Sequence, residues 1–202
     1  VPLLGVNVGV LGYLTEVEPS DLDVALERWV TGQFDVEERM MLEVTVDAAG
    51  QPSHVHYALN EVVVEKQDAG HTVRLLPYIN GVPFTPYAAD ALLVSTPTGS
   101  TAYSLSARGP VLSPRMRALL LTPVAPHMLF DRTLVLGDDE DITVEVQGHR
   151  RVSLAVDGQQ AGVLSAGDRV HCGAAARRAH FVRFGRRDFH QILKAKFQLA
   201  DR

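Results

Sequence analysis

Eight hydroxyl-bearing residues, Ser95, Thr96, Thr98, Ser100, Thr101, Tyr103, Ser104 and Ser106, crowd around Gly99 in the stretch VSTPTGSTAYSLSARG (94–109). The stretch follows an apolar run, ALLVST, turns at Pro97–Gly99 and continues as TAYSLSA, a helical segment that Gly109-Pro110 would stop. Ser100 or Thr101 is placed to cap that helix. A helix N-terminus offers unpaired N–H groups and the positive end of the dipole, so anions bind there readily. Residue types alone leave two readings open: a phosphate or nucleotide cradle, or a well-capped turn. No lysine follows the glycine, so this is not a G-x-x-x-x-G-K-[ST] loop.

A second candidate is the pair Asn60-Glu61 inside the β-branched run ALNEVVVEK. Burying such a pair without partners costs about 1–3 kcal/mol per group, and strand alternation turns only one of two neighbours to solvent. An Asn amide can read an adenine edge bidentately and a Glu carboxylate can accept from ribose hydroxyls. The competing reading is an edge or solvent-facing pair. Asp157-Gly158 in AVDGQ is a strong hairpin-turn signal. The acidic GDDED (137–141) reads as a hairpin loop, because its carboxylates lack the spacing of a calcium loop. His54 and His56 share a strand face, but no third ligand stands at sensible spacing, so they read as a surface pair. The basic segment from Arg177 to Arg187 reads as a solvated strand and loop. No G-x-S-x-G elbow occurs.

These residues need elements to hold them. Residues 2–6 read as a fully buried strand, and Gly9 and Gly12 after it suggest close backbone approach or positive φ. PSDLDVALERWVTGQF reads as a helix, with Ser20 as N-cap, Leu22, Leu26 and Trp29 on one face, and Gly32 at the end. From about Val36 to Phe184, short Val- and Leu-rich runs recur between Gly, Asp, Asn and Pro clusters, the pattern of an all-β layered domain. Periodicity does not decide whether PRMRALLLTP is helix or strand. Phe189, Ile192, Leu193, Lys196 and Phe197 recur at helical spacing, which predicts a terminal helix with an apolar stripe.

The 202 residues are 46% hydrophobic and 21% charged, enough to build a core and too apolar for a disordered chain. A formal net charge of −5 argues against nucleic acid as a partner. Cys172 is the only cysteine, so no internal disulfide forms and a reducing cytoplasm is the expected location. The longest Leu-rich stretch is broken by Pro123 and Pro126 and is too short to span a bilayer, so no membrane partner is expected. The chain opens without methionine on what reads as a strand already under way. The expectation is that natural residues precede Val1.

Taken together, the motifs resemble those of the NAD kinase family. GVNVGVLGYL, EERMMLEV, ALNEVVV, DALLVSTPTGSTAYSLSARGPVLSP, TPVAPHML, AVDGQ and FHQILKAKF all look like its segments, in order along the chain. The resemblance implies an α+β protein that is mainly a β-rich domain of stacked sheets. It places the end of an N-terminal α/β domain and a connecting helix at 1–34, the NAD-binding β domain at 35–185, and at 186–202 a helix that packs back on the N-terminal domain. It implies transfer of a phosphoryl group from ATP, or polyphosphate, to the adenosine 2′-hydroxyl of NAD, giving NADP, with a divalent metal, Mg²⁺, as cofactor. It further implies a homodimer or homotetramer whose sites are shared between subunits.

By the same resemblance, Asn60 and Glu61 hold the adenine and ribose of NAD, and Thr101, Ala102, Tyr103 and Ser106 line the pocket, Tyr103 offering a stacking face. Asp90 and Ala125 approach the nicotinamide side, and Asp157 lies near the reacting ribose. The family's Gly-Gly-Asp-Gly loop, with its base aspartate, is not among these 202 residues. It belongs upstream of Val1, so the expectation is that these residues bind NAD without transferring phosphate. Two alternatives carry less of the pattern: a non-catalytic nucleotide-binding sensor, and a lipid kinase of the same fold.

Overall fold

The computed structural model describes residues 1–8, 14–50, 52–185 and 188–199; Gly9, Gly12, Arg186 and Arg187 lie outside them. The chain divides into two compact units, one of Val1–Arg39 with Arg178–Arg202, the other of Met40–Arg177.

The larger unit is built from two antiparallel sheets. Its first sheet has the order β2-β1-β13-β10-β4-β5, with β6 also paired to β4. The strands are β1 (Asp35–Asp47), β2 (His54–Ala58), β4 (Val73–Ile79), β5 (Val82–Pro83), β6 (Tyr87–Ala89), β10 (Ile142–Gln147) and β13 (Arg169–Arg183), of which the first five residues of β1 and the last six of β13 fall in the smaller unit. The second sheet has the order β12-β11-β3-β7-β8-β9. It comprises β3 (Glu61–Lys66), β7 (Ala91–Ser95), β8 (Ala118–Val124), β9 (Leu134–Gly137), β11 (Val152–Val156) and β12 (Gln159–Leu164).

Period-2 patterning explains the first sheet. Met40, Leu42, Val44 and Val46 of β1 point inward, as do Ile142, Val144 and Val146 of β10, while their neighbours are more exposed. They meet Val62, Val64, Leu92, Val94, Leu119 and Leu121 of the second sheet in one continuous core. The centre of that second sheet does not alternate. All five residues of β7 and the first six of β8 are buried, because apolar clusters lie on both faces. That burial resolves the open reading of PRMRALLLTP: Ala118 onward is a central strand.

In the smaller unit, α1 (Leu22–Val30) follows a 3₁₀ turn at Pro19–Asp21. Asp21, not Ser20, occupies the N-cap position, and no side chain caps it. The buried face centres on Ala25, with Leu22 and Trp29 half-buried, while Leu26 lies 41% exposed. Gly32, at φ +73, ends the helix as expected. Residues 2–6 do not form the buried strand expected of them. Leu3 bridges Phe181 and Val6 bridges Val17, two different partners, so no ladder builds. Arg183 sits buried between Glu37 (2.6 Å) and Glu16 (3.1 Å). Burial pushes the Glu37 carboxyl up, but the Arg39 and Arg183 guanidiniums outweigh it and hold it below the usual range. The final helix, α3 (Phe189–Lys196), is capped by the Asp188 carboxylate, which accepts from the His190 N–H at 2.9 Å. Phe189, Ile192 and Leu193 are half-buried and Phe197 is exposed.

Candidate functional site

Three loops of the larger unit meet where β3 begins. The β11–β12 turn carries Asp157 at φ +47 and Gly158 at φ +76, the two positive values of a type I′ hairpin. That geometry aims the Asp157 carboxylate across to the bend before β3. One oxygen accepts from the Leu59 N–H at 2.7 Å, and the other from Asn60 at 2.8 Å and Glu61 at 3.0 Å. The Asp157 N–H donates back to the Glu61 carbonyl at 2.9 Å.

The hydroxyl-rich turn closes on the same bend from the opposite side. The Thr96 N–H donates to the Asn60 carbonyl at 2.9 Å and the Thr96 hydroxyl to the Leu59 carbonyl at 2.5 Å. Thr96 Oγ1 also accepts from the Gly99 N–H at 3.2 Å. Gly99 lies so close that an added Cβ would overlap the Asn60 backbone. The backbone of Asn60 is therefore fully engaged, and its half-buried side chain makes no hydrogen bond among the described residues.

Most of the hydroxyls divide into two groups; Ser95 Oγ, buried without a hydrogen-bond partner among the described residues, belongs to neither. Ser100 donates to the Pro97 carbonyl at 2.7 Å and accepts from the Leu112 N–H at 3.0 Å. Ser104 and Thr122 share a buried hydrogen bond of 3.2 Å, and Thr133 donates to Thr122 at 3.1 Å. Thr101 donates to the Thr98 carbonyl at 3.2 Å. These hydroxyls brace the turn. Tyr103 and Ser106, by contrast, lie on the exposed side of the short helix α2 (Tyr103–Ser106). The capping expected of Ser100 or Thr101 does not occur. A 3₁₀ turn, Gly99–Thr101, comes first, and Ala102 takes the N-cap position without a side-chain bond.

Glu61 is 7% exposed, and one of its carboxylate oxygens, Oε2, has no partner among the described residues. Burial and the neighbouring Asp157 charge raise its pKa to about 7, against the opposing pull of the Tyr103 backbone N–H. The carboxyl thus takes up a proton well above the usual carboxylate range, with Oε2 lacking a donor among the described residues. The Tyr103 hydroxyl is pushed up by burial and by the negative charges of Glu65, Asp90 and Glu61. Lys66 pairs with Asp90 at 2.7 Å, and the Asp90 N–H donates to the Val124 carbonyl at 2.9 Å. Asn60, Glu61, Tyr103, Asp90 and Asp157 are thereby brought together from four segments.

Ser106 and Ala125, the latter at φ +45, line a neighbouring cavity of about 660 Å³ together with Arg108, Arg132 and Thr133. The two arginines were not singled out from sequence, and only their positive charge beside Ser106 and Thr133 marks them now. Thr101 and Ala102 are half-buried on the turn that joins the cluster to α2. The GDDED loop is a hairpin connection: Glu140 accepts from the Gly137 N–H at 2.7 Å, and Asp138 pairs with Arg117. Among the described residues, no three His, Cys, Asp or Glu side chains come together to hold a metal.

Residues 59–184 match the family model described as the ATP-NAD kinase C-terminal domain. The chain is 46% identical over 201 residues to the NAD kinase of Heliobacterium modesticaldum, covering 98% of this chain and 70% of that protein. It is 40% identical over 203 residues to the NAD kinase of Carboxydothermus hydrogenoformans, covering 100% of this chain and 72% of that protein. Among solved structures, yeast NADH kinase complexed with NADH superposes with a TM-score of 0.92 at 28% identity; all of this chain aligns, over 60% of that one. An NAD kinase from Archaeoglobus fulgidus shares the fold, with a TM-score of 0.77 at 24% identity; 99% of this chain aligns, over 75% of that one.

Proposed function

The chain belongs to the NAD kinase family, and from that premise we propose that it forms the dinucleotide-binding part of an enzyme that phosphorylates NAD at the adenosine 2′-hydroxyl to give NADP. The observation that carries this is the Asn60-Glu61 pair. Its backbone is fully satisfied, while the Asn60 amide makes no hydrogen bond and one buried Glu61 oxygen has no partner among the described residues.

In this reading the Asn60 amide pairs with the adenine edge and the Glu61 carboxylate accepts from ribose hydroxyls. Tyr103, 38% exposed, offers its ring as a stacking face. Thr101, Ala102 and Ser106 line the pocket, and Asp90 and Ala125 approach the nicotinamide side. The family description supports ATP as the phosphoryl donor, with polyphosphate as the other donor class. No metal-ligating cluster is formed among the described residues, and Mg²⁺ would arrive on the donor phosphates. A homodimer or homotetramer with shared sites, in the cytoplasm, completes the proposal; the lone, buried Cys172 is in keeping with a reducing compartment. No described helix is long and apolar enough to cross a membrane.

The test measures NAD affinity by calorimetry, and NADP formation from NAD, ATP and Mg²⁺, with the intact protein. Asn60→Ala and Tyr103→Ala should each weaken NAD binding about tenfold or more without unfolding the protein. Unchanged affinity in both variants, or stabilisation by a sphingoid base and not by NAD or NADP, would overturn the reading.

A further inference from the structure

We propose that Asp157 is a positioning residue: its carboxylate locks the backbone of Leu59, Asn60 and Glu61, and so sets the direction in which the Asn60 amide and the Glu61 carboxyl meet the nucleoside. The proposal rests on the dinucleotide reading of this site. It gives Asp157 a different task from the ribose-side contact that the family resemblance implied.

An ionised carboxylate has about four lone-pair sites. Three of those on Asp157 are already taken by consecutive backbone amides, at 2.7, 2.8 and 3.0 Å. Leu59 and Asn60 lie in the bend between β2 and β3, so neither amide has a ladder partner to fall back on. Charge-assisted bonds of this kind are about twice as strong as neutral ones. The return bond from the Asp157 N–H to the Glu61 carbonyl closes the contact in both directions.

Side-chain length matters as well. The left-handed φ values of Asp157 and Gly158 bring the turn close enough for the single methylene of aspartate. Asparagine in its place would set an NH₂ group against an N–H donor. Thr96 and Gly99 hold the opposite side of Asn60, so the bend is gripped from both sides and only the side chains remain free to answer a ligand. Asp157 therefore acts on the ligand through its neighbours, not by touching it.

The experiment is a double-mutant cycle on the intact protein, read by NAD calorimetry. Asp157→Asn should weaken NAD binding roughly tenfold. In the Asn60→Ala, Glu61→Ala background the same change should cost nothing further, because the groups it orients are gone. The midpoint of the pH dependence of NAD binding should also fall in Asp157→Asn, since the Asp157 charge helps hold the Glu61 carboxyl up against the Tyr103 backbone N–H. Losses that add in the cycle, or a midpoint that does not move, overturn the proposal alone. A wild-type protein that takes up no dinucleotide overturns both the reading and the proposal.

Amide hydrogen exchange of the wild type tests the same point without a variant. The amides of residues 59–61 should be protected before NAD is added. Protection that appears only with NAD overturns the proposal.

Discussion

Gly99 packs its α-carbon against the backbone of Asn60: a Cβ there would stand 2.6 Å from the Asn60 carbonyl carbon, inside contact distance. Asn60 lies in the bend that enters β3 and Gly99 in the turn that leaves β7, adjacent strands whose register pairs Glu61 with Ser95. The hydroxyl-rich turn and the Asn-Glu pair are thus two sides of one packed joint, and disturbing either side disturbs both.

Gly99→Ala should therefore act on stability and binding together. The obstructing atoms are backbone, which cannot swing away, so overpacking of about 1–3 kcal/mol is expected. Urea denaturation should record that loss and calorimetry a weaker NAD affinity. Full stability with full affinity would show that the joint is looser than its geometry implies.

Glu61 makes stability fall as pH rises. Its folded pKa of about 7 lies above the ordinary 4.5, so between those values the folded state holds a proton that the unfolded state has lost. Its stabilising contribution is complete below about pH 4.5 and lost by the time pH has passed 7, a swing of roughly 3 kcal/mol. Glu61→Gln should flatten that part of the profile and melt higher than wild type at pH 8, both without ligand. Parallel pH–melting curves for the two proteins would refute the assignment.

The two groups of hydroxyls should separate by mutation. Ser100→Ala strands the buried Leu112 N–H and should cost about 1–3 kcal/mol in chemical denaturation. Ser106→Ala removes an exposed hydroxyl beside the cavity, so stability should stay within about 0.5 kcal/mol while NAD affinity drops. Equal stability losses in both variants would contradict the division.

Arg183→Met tests the smaller unit. Arg183 and Glu16 have side-chain exposures of only 6% and 8%, and removing the arginine leaves Glu16 and Glu37 without its charge. Breaking such a buried pair costs about 3–5 kcal/mol, readable as a lower denaturation midpoint. A midpoint equal to wild type would mean that Arg39 alone compensates Glu37.

Much of the fold was legible in the residues. Short Val- and Leu-rich runs between turn residues marked the strands, and Asp157-Gly158 marked a hairpin, because side-chain pattern and turn chemistry are local properties. The run RALLLTP stayed ambiguous for the opposite reason. A strand buried on both faces has no period to read, and its burial comes from clusters supplied by distant segments. The end of α1 was foreseen at Gly32, but its face was misjudged at Leu26, since the spacing of apolar residues does not say which side finds a partner.

The sequence by itself determined the family, the stacked-sheet class and the segments that carry the site, because ordered motifs and local patterning survive without coordinates. Only the tertiary structure decided what each polar side chain does. Seven serines and threonines look alike along 95–106, yet Ser100 and Ser104 are drawn into the turn while Ser106 stays open. Asp157 reads as a turn residue until folding brings it to amides nearly a hundred positions away. Hydrogen-bond partnership depends on through-space distance, and chain order does not encode that distance until the sheets close.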